Sequence, residues 1–506
     1  GAAVAIDVNT GEVLAMASYP DFDPNDFAEG VSAEKWAEYQ QENPNDPLSP
    51  SPMYNIAALS AVQPGSTFKP VTALAALECG LDEDVYLYDG GAVELGGRSF
   101  GCHLWNRSGA SHGYVNLKEA MKVSCNYYFF DIATGFDLAS GCALGYEKPI
   151  DEEAIVRFAR ELGLGEETGI EIPESAGSLP SEALKIRSAK ATLKYILMEE
   201  CETYFKKSIL ADEEVLMKKI EKIVNQVDKD LTLQAMKGKL KKENAVKNDK
   251  IDELAAICVY DCSQQMSRTM ADTFNTAIGQ GDNAYTVLQM AAYMAALGDG
   301  GVRKDASLVY DAMCGDAGLE DAGRGDKNLG GAGSIDGDHI KAVIEAMTAV
   351  TGEPGGGLYA MFQDFPYEVA AKTGTAQRAG KINTADEREY LRRHLHLIAP
   401  DISFGEVEDE AERLCETYPG IYSSEDKALR RAIMNLSDKN IDEEEIDRFK
   451  EDYENFAWTV ALAPADDPQI AVAVMLVQGA TSANAAPVVR EIIGEYGEIS
   501  RWEKLF

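Results

Sequence analysis

A serine and a lysine three positions apart, Ser66 and Lys69, stand in the run QPGSTFKPVTALAALE, residues 63–78. Residues three apart share one face of a helix, so the hydroxyl and the ammonium would leave an otherwise apolar helix on the same side. A serine is a poor nucleophile until a base takes its proton. A lysine can be that base only where burial or a neighbouring cation lowers its pKa, because at its ordinary value of about 10.4 it stays protonated. Ser66 follows Pro-Gly and would sit at the helix N-terminus, where the backbone dipole favours negative charge. Alone, the pair occurs by chance in many proteins and reads more simply as a capping serine with a lysine reaching for water.

Two further groups have suitable chemistry. Ser124 and Asn126 flank Cys125, and across a turn a hydroxyl and an amide two residues apart can face one cleft as proton relay and substrate holder. Lys372-Thr373-Gly374-Thr375 lies in the strand-like run EVAAKTGTAQ. The glycine lets a substrate lie against the strand, and a lysine with hydroxyls suits a carboxylate. Singly, these are also compatible with a polar break in a helix and with an edge strand protected by a lysine.

The elements that must position these groups are legible as patterns. AAVAIDV and EVLAMAS, joined by Asn-Thr-Gly, predict a hairpin. LKEAMKVSCNYYFFDIAT predicts an apolar helix broken at Ser-Cys-Asn, and WTVALAP with QIAVAVMLV predicts a strand pair followed by a closing helix over 484–496. Two early strands, three late ones and helices between them predict an antiparallel sheet with a helical subdomain. From about 182 to 271 lysines and glutamates alternate, and Ile209, Leu216, Ile220, Ile223 and Val227 recur at helical spacing, which predicts an inserted helical hairpin or small bundle. A second, acidic insertion runs to about 455, with Asp442 and Glu445 at capping-box spacing and Ile446, Phe449 and Tyr453 on one helical face. GGAGSID at 330–336 matches one calcium-binding nonapeptide unit, but a single copy has no stacking partner and reads as a loop.

The formal net charge of −38 argues against nucleic acid and against a polybasic membrane patch. No apolar run reaches the roughly 18 residues of a membrane helix. The opening GAAVAIDVNTGEVLAMAS reads as a strand rather than a signal peptide, so an anchor upstream of this segment is expected. The nine cysteines form no CxxC pair. Cys258 and Cys262, four apart, read as buried free thiols rather than metal ligands.

In the order SxxK, SxN, KTG, the three groups match the motif set of class A β-lactamases and penicillin-binding proteins. The chain resembles the transpeptidase domain of monofunctional, class B penicillin-binding proteins, on QPGSTFKP, VSCNYYFF, LGLGEETGIEIPESAG, AIGQGDNAYTVLQMA and KTGTAQ, and on its first and last segments. It departs from the family where Val287 stands in place of a usual proline after GQG, and in the length of both insertions.

The resemblance implies an α+β fold of the β-lactamase/transpeptidase type: a five-stranded antiparallel sheet flanked by helices, an all-helical subdomain and two helical insertions. It divides the chain into transpeptidase parts at 1–184, 272–379 and 456–506, with insertions at 185–271 and 380–455. It implies that Ser66 is the nucleophile, Lys69 its base and Ser124 a proton relay, with Asn126 holding a peptide amide. Lys372, Thr373, Gly374 and Thr375 would bind the terminal carboxylate, and the Ser66 and Thr375 N–H groups would form the oxyanion hole. The two lysines would each depress the other's pKa. No cofactor or metal is implied. The implied substrates are peptidoglycan stem peptides, with β-lactams as acylating analogues. The implied partners are other cell-wall synthesis proteins of cell shape or division, at the extracytoplasmic face of a bacterial membrane. The alternatives are a D,D-carboxypeptidase or serine β-lactamase of the same fold, or a non-catalytic β-lactam sensor.

Overall fold

Five strands drawn from both ends of the chain pair antiparallel in the order Val13–Ser18, Ala2–Asp7, Ile470–Leu476, Phe456–Ala463, Ala370–Ala376. This is a computed structural model, and it describes residues 1–28, 30–40, 51–309, 335–376, 387–417, 425–437, 441, 442, 446 and 455–503. The first two strands form the hairpin expected from Asn-Thr-Gly. The Asp7 carboxylate closes its turn by accepting from the Asn9 and Thr10 N–H groups, each at 2.9 Å.

The two central late strands do not alternate polar and apolar residues. Phe456–Ala463 and Ile470–Leu476 are buried at nearly every position, which requires cover on both faces. Helices Val287–Gly298 and Ala486–Glu503 both pack on this pair. Val287–Gly298 is buried along almost its whole length, as a helix apolar all round must be. Its start is fixed by a capping box between Thr286 and Gln289. Val287 occupies the first helical position, where proline is common and many other residues serve.

The helical side is built around Lys69–Cys79, which is buried from Lys69 to Leu77 and ends at Gly80 with φ 111°. It packs on Asn126–Thr134, Glu152–Glu161 and Gly337–Gly352. The expected break at Ser-Cys-Asn separates helices Leu117–Lys122 and Asn126–Thr134.

By its internal contacts the chain divides into two units, Gly1–Ser178 with Ala277–Phe506, and Leu179–Thr276. The second unit is a bundle of several short helices rather than a hairpin, among them Glu182–Glu199, Glu213–Val224, Leu233–Glu243 and Ile251–Ala256. Its core gathers Leu193, Leu197, Phe205, Ile220, Ile223, Leu240 and Leu254, together with Cys258 and Cys262; Ile209 and Leu216 are only partly buried. In the acidic segment, helices Glu387–Ile398, Phe404–Thr417 and Glu425–Leu436 close around Leu391, Leu395, Val407, Leu414, Leu429 and Ile433. Ile446 joins this cluster, whereas Glu445, Phe449, Tyr453 and most of GGAGSID lie outside the described residues.

A unit with its own core should fold by itself. Residues 179–276 expressed alone are expected to give a helical circular-dichroism spectrum with cooperative melting. Leu254→Ala, which empties a fully buried site, is expected to lower the fragment's stability by about 2–5 kcal/mol in denaturant titration. A non-cooperative melt would contradict this.

Candidate active site

Ser66 lies in a 3-10 turn, Gly65–Phe68, that leads directly into the helix beginning at Lys69. It is half-buried, whereas its neighbours Gly65 and Thr67 are buried. The turn is held from several directions: Trp458 Nε1 donates to the Gln63 carbonyl at 3.0 Å, Tyr293 Oη donates to the Thr67 carbonyl at 2.9 Å, and the Gly65 N–H donates to the Gly279 carbonyl at 3.0 Å.

Three glycines make this approach possible. Gly65 has φ 56°, and a Cβ there would stand 2.6 Å from the Thr375 carbonyl oxygen. A Cβ on Gly374 would stand 2.5 Å from the Pro64 carbonyl oxygen, and one on Gly279, at φ 69°, would stand 2.2 Å from that of Gly65. The strand that carries Lys372 can therefore lie directly along the Ser66 turn. The sequence shows Gly-Gln-Gly as a family run but assigns Gly279 no role, because what it packs on is the backbone of a distant segment.

The side chains then meet at one hydroxyl. Lys69 Nζ donates to the Ser124 carbonyl at 2.8 Å, to Ser124 Oγ at 3.2 Å and to Asn126 Oδ1 at 2.8 Å. Lys372 Nζ donates to the same Ser124 Oγ at 2.9 Å and to the Thr373 carbonyl at 2.9 Å. Ser124 is held at φ 57°, a left-handed conformation that costs a non-glycine residue free energy and persists only where the surroundings enforce it. Ser124 Oγ accepts from both lysine nitrogens, and its own O–H remains a donor. The Phe129 ring lies beneath Lys69 Nζ, 5.0 Å from centroid to nitrogen, and offers some compensation for the buried charge.

Both lysines are fully buried, and burial is the first cause of their lowered pKa values. Lys69 is brought down to about 8, against an opposing pull from negative charge on Cys102 and Cys125. Lys372 is held well below the ordinary lysine range by burial first and then by the charge of Lys69. Desolvation thus outweighs the cation–cation repulsion expected from the sequence.

Thr373 and Thr375 alternate with Lys372 and Gly374 along the strand and are half-buried, whereas Lys372 is buried. Thr375 Oγ1 accepts from the Ser482 N–H at 3.2 Å, and its carbonyl from Gln280 Nε2 at 3.4 Å. The residue before Ser66 lies against the Thr375 backbone, since a Cβ on Gly65 would stand 2.6 Å from the Thr375 carbonyl oxygen.

A second cluster was not foreseen. Asp89, Cys102, His112 and Cys125 bring their donor atoms within 4.8 Å of one another. His112 Nδ1 lies 2.8 Å from Asp89 Oδ2 and 3.5 Å from Cys102 Sγ. The hydrogen bond to Asp89, then the one to Cys102, raises the His112 pKa to about 9. Contact between the thiols lowers the pKa of Cys102 and raises that of Cys125. Two sulphurs, an imidazole and a carboxylate suit a tetrahedral ion of the zinc class. The four residues come from separate segments with no motif spacing, which hid them from sequence reading. Cys258 and Cys262 sit in the apolar core of the bundle.

The family model for the penicillin binding protein transpeptidase domain matches residues 1–395 and 444–494. The chain belongs to this family. Among penicillin-binding proteins, peptidoglycan D,D-transpeptidase MrdA of Acinetobacter baumannii is 34% identical over 193 residues, covering 38% of this chain and 25% of that protein. The match therefore spans about a quarter of that curated relative's length. Among solved structures, Pseudomonas aeruginosa PBP2 in complex with WCK 5153 matches 98% of this chain and 73% of its own, at 21% identity and a TM-score of 0.57. Helicobacter pylori PBP2, solved with MreC, matches 99% and 60%, at 18% identity and a TM-score of 0.56. These neighbours share the transpeptidase fold, including the five-stranded antiparallel sheet.

The packing of Gly279 on the Ser66 turn can be tested directly. Gly279→Ala would meet the Gly65 carbonyl and keep an unfavourable φ. It is expected to cost about 1–3 kcal/mol in chemical denaturation and to slow labelling by a fluorescent penicillin. Wild-type values in both would remove the packing role.

Proposed function

We propose that this chain is a serine D,D-transpeptidase domain that cross-links peptidoglycan stem peptides through an acyl-enzyme at Ser66 and is acylated there by β-lactams. The observation that supports it best is the meeting of two fully buried lysines on Ser124 Oγ, beside a serine held on a tight turn. Burial gives Lys69 access to its neutral form near physiological pH, which a general base requires.

In this reading neutral Lys69 takes the Ser66 proton as Oγ attacks the carbonyl of the D-Ala-D-Ala peptide bond. The Ser66 and Thr375 N–H groups hold the oxyanion. The C–N bond then breaks, and the departing D-Ala amine receives its proton by way of Ser124. Lys372, with Thr373 and Thr375, receives the terminal carboxylate, and the arriving anion restores the positive charge that burial disfavours. Gly374 keeps the strand edge open to the peptide backbone, and Asn126 holds a donor amide. An amine from a second stem peptide attacks the ester, forms the cross-link and returns the hydroxyl to Ser66.

Among the described residues no helix is long and apolar enough to cross a membrane. In this reading the domain works at the extracytoplasmic face, carried by an upstream anchor, among other cell-wall synthesis proteins. The Helicobacter pylori PBP2 solved with MreC is one neighbour that supports such partners.

Two predictions test the chemistry. Mapping of a fluorescent-penicillin adduct is expected to find Ser66 alone, and Ser66→Ala to take no label; an adduct that survives that substitution would overturn the assignment. With Lys69 as base, the acylation rate should rise with pH through about 8, because deprotonation makes the active form. Lys69→Arg should lose about 10²–10⁴-fold and the pH step with it, since a guanidinium does not deprotonate. Lys372→Arg should retain more activity, and equal losses would refute this division of labour.

A further inference from the structure

Strand Leu87–Asp89 pairs with Gly113–Val115 and sets Tyr88 opposite Tyr114. The two rings stand 5.2 Å apart at a tilt of 57°. Leu87, Asp89 and Val115 are buried, whereas Tyr88 is 43% exposed and Tyr114 69%. Tyr86, two residues before Tyr88, is 54% exposed. Beyond the other end of the strand Trp105, itself 42% exposed, lies against Gly91, where a Cβ would stand 2.2 Å from Trp105 Cε3. Cross-strand pairing explains why Tyr88 meets Tyr114, but it leaves much of both rings in water. Scattered exposed aromatics are ordinary; several gathered around one ribbon form a patch of the kind that marks a binding surface.

The ribbon is seated beside the Ser66 site. Its first strand packs on helix Asn126–Thr134, and a Cβ on Gly90 would stand 2.8 Å from Tyr127 Oη. Tyr127 directly follows Asn126, the residue that would hold a donor amide. A stem peptide hangs from a sugar, and each extended residue spans at most about 3.3–3.6 Å. A short stem held at Ser66 therefore keeps its sugar close to the cleft. The tyrosines have the chemistry to receive it. A sugar ring carries C–H groups on its faces and hydroxyl and amide groups around its rim. The electron-rich face of a phenol ring attracts the C–H groups, and its hydroxyl can bond to the rim. Rings spread along a ribbon suit a chain of sugars better than a single one.

We propose that Tyr86, Tyr88 and Tyr114 form a binding site for the glycan strand, a chain of N-acetylated amino sugars, that carries the donor stem peptide. The link to a donor stem rests on the transpeptidase reading; the capacity of the tyrosines to bind the glycan does not.

The test uses the full chain and a soluble chitin tetramer, N-acetylglucosamine throughout, as probe. Saturation-transfer NMR and titration are expected to show that the wild type binds it. Tyr88→Thr combined with Tyr114→Thr removes both rings and keeps the strand preference; it is expected to weaken binding by about tenfold or more. Tyr88→Phe combined with Tyr114→Phe keeps the rings and should retain most of the affinity. Thermal melts check that each variant is folded, and if the threonine pair is not, Tyr114→Thr alone, at the most exposed ring, is read in its place. The second measurement is the rate of D-Ala release from stem peptides on a glycan strand, divided by the rate from the same peptide free in solution. That ratio is expected to fall by about tenfold in the threonine variant. A wild type that does not bind the tetramer, a threonine variant that binds it equally well, or an unchanged ratio would overturn the proposal. If the wild type takes no fluorescent-penicillin label, the transpeptidase reading fails instead, and the tetramer titration still decides whether these tyrosines bind glycan.

Discussion

Two lysine side chains buried against one hydroxyl oxygen are the constraint around which the rest of the site is arranged. Taking a lysine charge out of water is costly, and here it happens twice within hydrogen-bond reach of Ser124. The fold offsets the cost with carbonyl acceptors from Ser124 and Thr373, the Asn126 amide oxygen and the Phe129 ring. What remains appears as lowered proton affinity, and lowered proton affinity lets a lysine act as a base. The left-handed backbone at Ser124 follows from the same demand: its carbonyl and its hydroxyl must both face Lys69. The glycines of the Ser66 turn follow too, since the Lys372 strand can bring its ammonium there only if it lies directly on that turn.

Much of this was legible in the sequence, and for physical reasons. Ser66, Lys69, Ser124, Asn126 and Lys372 are polar residues interrupting apolar runs, and such interruptions are what pattern reading detects. The sheet was legible because Phe456–Ala463 and Ile470–Leu476 are continuous apolar runs of strand length. Burial and a neighbouring cation were both legible as causes of the lysine pKa shifts, and repulsion from Lys69 does lower Lys372; that burial is the larger cause was not, because depth of burial cannot be read from residue types. Gly279 gave no usable signal because its reason is the backbone of another segment, 2.2 Å from where its Cβ would be. The cluster of Asp89, Cys102, His112 and Cys125 was hidden for a related reason: four segments contribute one donor each. In the lysine-rich insertion, a/d-like spacing correctly picked out buried Ile220, Ile223 and Val227, but spacing alone could not count the short helices or say where each one stops.

The sheet order has a consequence for how the protein comes into being. Ala2–Asp7 has its partners in Val13–Ser18 and in Ile470–Leu476, so one of its two edges waits for a segment made hundreds of residues later. The Ser66 turn is likewise tied to Trp458 and Gly374. Contacts so distant along the chain close slowly, because loop entropy must be overcome before they stabilise anything. Early helices and the 179–276 bundle can gather locally during synthesis, but the hydroxyl-and-lysine arrangement cannot exist until the last strands arrive. A chain cut short before residue 456 would carry Ser66, Lys69, Ser124 and Lys372 and still lack the neighbours that hold them together. Assembly of this lysine–serine cluster therefore doubles as a completeness check on the polypeptide.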